Sequence, residues 1–173
     1  MANKIVLVGY MGVGKTTLGK ELAKNANIPF LDLDELIEKK EKQTISEIFR
    51  LKGELYFRKL EHQLFKELLS NDDDFILSTG GGTPCYYDNH FLLDSENVSA
   101  IYLEASINTI YDRLQNEKEQ RPLVKDLNTA ELKEFIAKHL FERSFYYQKA
   151  KYKVNVDGKT IQEIVEQLIK LLF

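Results

Sequence analysis

Along the chain, short apolar runs alternate with longer stretches in which apolar positions recur every three or four residues. A short apolar run bounded by turn residues predicts a buried strand, and the longer recurrence predicts an amphipathic helix. KIVLVG (4–9), IPFLDLD (28–34), FILS (75–78), VSAIYLE (98–104) and YKVNV (152–156) read as five strands. Helical spacing covers KTTLGKELAKNA (15–26), DELIEKKEK (34–42), TISEIFRLK (44–52), ELYFRKLEHQLFKELLS (54–70), INTIYDRLQ (107–115) and TAELKEFIAKHLFERSFYY (129–147). A last helix opens at Thr160. Thr44 with Glu47, and Thr160 with Glu163, have the spacing of a capping box. In that last helix Ile161, Ile164, Val165, Leu168, Leu171 and Leu172 form one apolar face.

Strands alternating with helices predict an α/β fold: a five-stranded parallel sheet between two helical layers, joined by right-handed crossovers. In such sheets ligands sit beyond the carboxyl ends of the strands. GYMGVGKTT, DLD and STGGG each lie just past a predicted strand end, so they are expected to converge on one crevice. The polar stretch 116–128 is long for a connection in a compact domain, and such loops are often lids.

Composition narrows the setting. A chain of 173 residues is expected to form one domain with a proper core. A net charge of -3 weighs against nucleic-acid binding. One cysteine, Cys85, excludes an internal disulfide and suits a reducing compartment. The N-terminal apolar run is too short to span a membrane and a glycine loop follows it at once. A cytoplasmic protein without nucleic-acid or membrane partners is expected, with a monomer as the default.

Gly9-Tyr10-Met11-Gly12-Val13-Gly14-Lys15-Thr16 matches G-x-x-x-x-G-K-[ST] between a predicted strand and a predicted helix, the context of a P-loop NTPase fold. The glycines let backbone N–H groups surround phosphates, and the helix adds its positive N-terminal end. Gly12, Val13, Gly14 and Thr17 belong to this cradle. Lys15 is expected to reach the β- and γ-phosphates, and the Thr16 hydroxyl to ligate magnesium. Asp32 and Asp34 sit two apart where a strand ends; one carboxylate could serve a metal and the other an acceptor hydroxyl. The competing reading makes Asp34 an ordinary helix N-cap. Taken alone, Arg58, Arg143 and Arg121 read as solvated arginines, although Arg121, in a polar lid beside the phosphate site, has the stronger claim to a role. Arginine does suit planar two-oxygen anions.

Taken together, GYMGVGKTT, DLD, FRKLE, STGGG, RPL and RSFYY, in this order and spacing, resemble the shikimate kinase family, a nucleoside-monophosphate-kinase-like group of aromatic biosynthesis. The resemblance covers nearly the whole chain. It implies transfer of the ATP γ-phosphoryl group to the 3-hydroxyl of shikimate with Mg2+. It implies an acceptor-binding region at about 33–61 and a lid at about 112–127. Asp34 would hold the shikimate hydroxyls and act as base, and Arg58 and Arg143 would hold the carboxylate. Two guanidinium groups facing one another would repel, so a pocket holding both expects an anion between them. Asp32 would sit near magnesium with Ser78 close by, and Arg121 would enter with the lid to balance phosphate charge. Arg113 would stack on adenine, with the loop 157–159 on its other face. Gly80, Gly81 and Gly82 would let the main chain approach the small ring and offer N–H donors.

Two departures from the family pattern stand out. Phe145 replaces a frequent proline, and TPCYYDN after the glycines is less typical. Cys85 could lie near the site, although a small buried side chain is the plainer reading. His62, His90 and His139 have no metal-like spacing. A gluconate-type kinase stays open as the nearest alternative. A nucleotide-dependent switch is disfavoured because no N-K-x-D motif occurs.

Overall fold

In the computed structural model, which describes residues 3–121 and 123–173, β1 (Lys4–Val8) lies at the centre of a five-stranded sheet. The order is β2 (Phe30–Asp32), β3 (Phe75–Ser78), β1, β4 (Val98–Glu104), β5 (Tyr152–Asn155), and every pairing is parallel. β1 and β3 are buried along their whole length, which is why their sequences are continuous apolar runs and do not alternate. The edge strand β5 buries only Val154. Lys4 opens β1 in the interior and donates its ammonium to Leu69 O at 2.8 Å. That carbonyl belongs to the last turn of α4 (Glu54–Ser70), so the charge meets the negative end of a helix.

The other helices are α1 (Lys15–Ala26), α2 (Leu33–Glu41), α3 (Ile45–Lys52), α5 (Asn89–Leu92), α6 (Ile107–Glu117), α7 (Thr129–Tyr147) and α8 (Ile161–Leu172). Short 3₁₀ turns occupy Thr83–Cys85 and Lys118–Gln120. Both predicted capping boxes form, at Thr44 and Thr160, and a third forms at Asn128 with Glu131. The chain leaves β1 toward β2 on one side and crosses to β4 on the other after β3, so the sheet switches direction beyond the end of β1.

The structure departs from the sequence pattern in four places. β2 is shorter than the run 28–34, because α2 already begins at Leu33. On α8 only Ile164, Val165 and Leu168 are buried; Ile161 is 46% exposed and Leu171 38% exposed. Ile161 instead borders the crevice described below. α5 has no counterpart in the periodicity. The polar segment 116–128 still sends side chains into the core: α6 continues to Glu117, Val124 is fully buried, and Leu127 packs on the core. Pro122, from the RPL signature, lies outside the described residues.

α1 lies close to the sheet because it carries Gly19. A β-carbon there would fall 2.5 Å from a Phe30 ring atom and 3.2 Å from Leu7 Cδ1. This contact holds the helix that follows the glycine loop against β1 and β2. Gly19→Val is expected to destabilise the fold by about 1–3 kcal/mol through overpacking. A lower urea midpoint at unchanged m-value would report it.

Candidate functional site

The loop between β1 and α1 is shaped by three glycines with positive φ: Gly9 at 149°, Gly12 at 83° and Gly14 at 98°. A β-carbon on Gly9 would also lie 2.7 Å from Leu103 O. Lys15, the first residue of α1, folds back over the loop. Its Nζ donates to Gly9 O at 2.7 Å and Tyr10 O at 3.0 Å. Burial lowers its pKa to about 8; Arg121 and Arg143 push the same way, while Asp34 and Asp32 oppose. A phosphate placed in the loop would reverse much of that shift by supplying the missing negative charge. Arg113, from α6, donates to Val13 O at 2.6 Å and Gly12 O at 3.3 Å, so it braces the loop from outside.

Beside the loop, β2 ends in Asp32. Its Oδ1 accepts from the backbone N–H of Asp34 at 3.0 Å and of Glu35 at 3.2 Å. The N-cap of α2 is therefore Asp32 and not Asp34, which corrects the competing sequence reading. Asp32 Oδ2 accepts from the Thr16 hydroxyl at 3.1 Å, and Thr16 Oγ1 lies 3.5 Å from Ser78 Oγ. These are hard oxygen donors suited to Mg2+. Among the described residues no group of three His, Cys, Asp or Glu could hold a metal. A cation here would need water and phosphate oxygens to complete its shell, the usual arrangement for Mg2+. Asp34, in the first turn of α2, borders the crevice with its pKa raised to about 6. Burial is the main cause; Glu61 and Asp32 add to it, and Lys15 and Arg58 oppose.

The third wall is the glycine turn after β3. None of Gly80, Gly81 and Gly82 has a positive φ, so space and not backbone freedom requires them. A β-carbon on Gly80 would sit 3.3 Å from Glu61 Oε2 and 3.4 Å from Asp34 Oδ1. On Gly81 it would sit 3.3 Å from Arg143 Nη1 and 3.4 Å from the Met11 nitrogen. On Gly82 it would fall 2.7 Å from Arg58 Nη2. The triplet thus makes room for both candidate arginines and the candidate base. Arg58 is not a bare cation: its Nη1 donates to Glu61 Oε1 at 2.8 Å, and its guanidinium lies over Tyr86 at 4.0 Å. That corrects the expectation of two mutually repelling guanidinium groups, since Glu61 already neutralises one. Arg143, on α7, stands 5.7 Å from the centre of the Tyr10 ring, and Tyr147 on the same helix donates its hydroxyl to Gly81 O at 2.6 Å.

A crevice of about 500 Å³ joins these walls. It brings together residues 11–18 with Asp32, Asp34, Ser78, Gly80, Gly81, Arg113 and Arg121. Arg58, Gly82 and Arg143 do not line it; they join it through the contacts of the glycine turn. Arg121 is held by Glu117, with Nη2 at 2.6 Å and Nε at 2.9 Å from Oε2. Lys159 reaches the rim, whereas Asp157 accepts from the Ser106 N–H instead. Burial pushes the Cys85 thiol up to about 11, so it is no nucleophile at neutral pH. His139 meets the Tyr10 hydroxyl at 2.8 Å. Sequence reasoning missed Glu61 and Glu117. Their signal was present as helical i,i+3 and i,i+4 spacing to Arg58 and Arg121.

Residues 11–173 match the family model described as shikimate kinase. A shikimate kinase from Flavobacterium johnsoniae is 53% identical over 169 residues, covering 98% of each chain. The crystal structure of shikimate kinase from Bacteroides thetaiotaomicron superposes with a TM-score of 0.90 at 38% identity, covering 98% of this chain and 97% of that one. The Acinetobacter baumannii shikimate kinase in complex with shikimate gives a TM-score of 0.86 at 30% identity, covering 99% and 93%.

The lowered pKa of Lys15 predicts pH-dependent binding of a nucleotide at this loop. Phosphate favours the charged ammonium, so binding draws a proton onto Lys15 wherever the free group has lost it. ADP affinity is expected to be full below about pH 8 and to weaken as pH rises through that value. Lys15→Met should bind ADP more weakly and without this alkaline limb. Calorimetric titration across the range checks both.

Proposed function

The chain belongs to the shikimate kinase family, and from that premise we propose that it transfers the γ-phosphoryl group of ATP to the 3-hydroxyl of shikimate, giving shikimate 3-phosphate and ADP. One observation carries the reading on the structural side. A half-buried carboxylate with a raised pKa, Asp34, shares a crevice with the Lys15 loop and faces a glycine turn cleared for two arginines. The full-length family relationship favours shikimate over the sugar acid of a gluconate-type kinase.

In this reading ATP lies with its phosphates in the loop of residues 9–16, under the N-terminus of α1. Lys15 and Arg121 offset charge on the transferred group, and Gly12, Val13, Gly14 and Thr17 contribute to the cradle. Thr16 and Asp32 would hold Mg2+, with Ser78 beside them; the ion neutralises phosphate charge and orients the phosphates when bound. Shikimate occupies the region about 33–61 together with the glycine turn. Arg58 and Arg143 take its carboxylate, and Gly80, Gly81 and Gly82 lie against the ring. Asp34 accepts the proton of the 3-hydroxyl as its oxygen bonds to the γ-phosphorus and the bond to the ADP oxygen breaks. Most of the rate enhancement then comes from positioning and charge stabilisation. The segment about 112–127 acts as a lid that excludes water, a competing acceptor. Arg113 serves the adenine end while bracing the loop. No helix among the described residues is long and apolar enough to cross a membrane. The proposed setting is a cytoplasmic monomer with small-molecule partners only.

The decisive measurement is ADP release from ATP with and without shikimate; turnover independent of shikimate would refute the assignment. Asp34 must be ionised to accept a proton, so kcat/KM for shikimate should fall as pH drops through about 6. Loss of the Lys15 charge should set an alkaline limb at about 8. Asp34→Asn should keep ADP affinity and lose about 10²–10⁴-fold in kcat, with the acid limb abolished. Arg58→Ala and Arg143→Ala should each raise the shikimate KM roughly 10- to 150-fold with little change for ATP. Lysine in their place should recover only part, because an ammonium lacks the planar fork.

A further inference from the structure

The less typical segment after the glycines contains two fully buried polar side chains, Thr83 and Asn89. Both belong to one chain of hydrogen bonds that begins at Arg58. Arg58 Nη1 donates to Glu61 Oε1, and Glu61 Oε2 accepts from Thr83 Oγ1 at 2.8 Å. The Thr83 carbonyl accepts from Asn89 Nδ2 at 2.8 Å. With its amide donating there, Asn89 offers Oδ1 to His62 Nδ1 at 2.6 Å, so that ring nitrogen carries the proton. His62 follows Glu61 on α4, so the circuit returns to the helix that carries Arg58. The His62 ring is itself fixed by stacking on Tyr87, 4.9 Å between centres at 15°.

We infer that Thr83 is a positioning residue of the acceptor site: held by Asn89 and His62, it fixes the buried carboxylate of Glu61 and thereby the orientation of the Arg58 guanidinium. Glu61 is fully buried, and a buried carboxylate is costly unless both oxygens are paired. Among the described residues Arg58 is the donor to one oxygen and Thr83 the donor to the other. Without the hydroxyl, Glu61 can turn toward a new donor and pull its arginine with it. The glycine turn is built around this bond. A β-carbon on Gly80 would lie 3.2 Å from Thr83 Oγ1 and 3.3 Å from Glu61 Oε2. Thr83 opens the 3₁₀ turn through its N–H to Gly80 O at 3.1 Å, with Pro84 next, so the hydroxyl is aimed by a stiff segment.

The inference rests on the reading that Arg58 binds the shikimate carboxylate, and a double-mutant cycle separates the two. Thr83→Val keeps the shape and removes the hydroxyl; it should raise the shikimate KM roughly 3- to 10-fold, with a smaller change in kcat and none in the KM for ATP. Thr83→Ser should recover most of the loss. In an Arg58→Ala background, Thr83→Val should add nothing, because its route of action is gone. If Arg58→Ala raises the shikimate KM but Thr83→Val does not, or acts by the same factor in both backgrounds, the relay is wrong and the clamp stands. If Arg58→Ala leaves the shikimate KM unchanged, the clamp reading itself fails. Should Thr83→Val not fold, as judged by lost ADP binding, Thr83→Ala removes the same hydroxyl with less volume and carries the same comparisons.

Discussion

Asp32 ties together the three elements that make the crevice. One carboxylate oxygen caps α2 and the other receives the hydroxyl of Thr16 from α1, with Ser78 at the end of β3 beside them. The cap decides where β2 stops and α2 starts, and hence that Asp34 falls in the first turn of a helix facing the glycine loop. An N-cap contributes about 0.5–2 kcal/mol. Here its larger effect is geometric, since the same side chain joins the start of α1, next to the glycine loop, to the start of α2. A change at Asp32 would therefore disturb α2, the Thr16 hydroxyl and the Asp34 carboxylate together.

Around that point the site is a set of buried charges that compensate one another. Lys15, Asp34, Arg58 and Glu61 are each largely withdrawn from water, and an unpaired buried charge would be costly. Glu61 pairs Arg58 and at the same time raises the pKa of Asp34. Lys15 leans on loop carbonyls and is left short of negative charge. Of the two arginines by the glycine turn, only Arg58 has an internal partner carboxylate among the described residues, which accords with the proposed binding of phosphate at Lys15 and of a carboxylate at the arginine pair. The three consecutive glycines belong to the same economy of space. They stand where Glu61, Asp34, Arg143 and Arg58 press against the turn, and a single methyl at Gly82 would meet the Arg58 guanidinium at less than contact distance.

Much of the molecule was legible in the chain itself. The P-loop motif, the strand–helix alternation and the capping boxes are local: each depends on residues within one turn or one loop, where spacing along the chain is spacing in space. Hence the bounds of α1, α4 and α7, and the convergence of GYMGVGKTT, DLD and STGGG at the strand ends, follow from the sequence. Where periodicity misled, burial was decided elsewhere. Ile161 and Leu171 share the apolar spacing of α8 but lie at its margins, and Val124 sits in a polar segment yet fills a gap in the core.

What only the tertiary structure decided are the pairings across elements. The choice of Asp32 over Asp34 as cap could not be made from two aspartates two residues apart; the fold brings Asp32 Oδ1 to the N–H groups of Asp34 and Glu35, while its other oxygen meets the Thr16 hydroxyl of α1. The sequence suggests that glycines 80–82 admit a ligand; the fold shows in addition that they clear space for Arg58, Arg143, Glu61 and Asp34, with no positive φ among them. Thr83, Asn89 and His62 are unremarkable residues in sequence, separated by as many as 27 positions. Only the packing of the post-glycine turn against α4 turns them into one hydrogen-bonded circuit, because a buried polar group acquires its partner from whatever the fold places beside it.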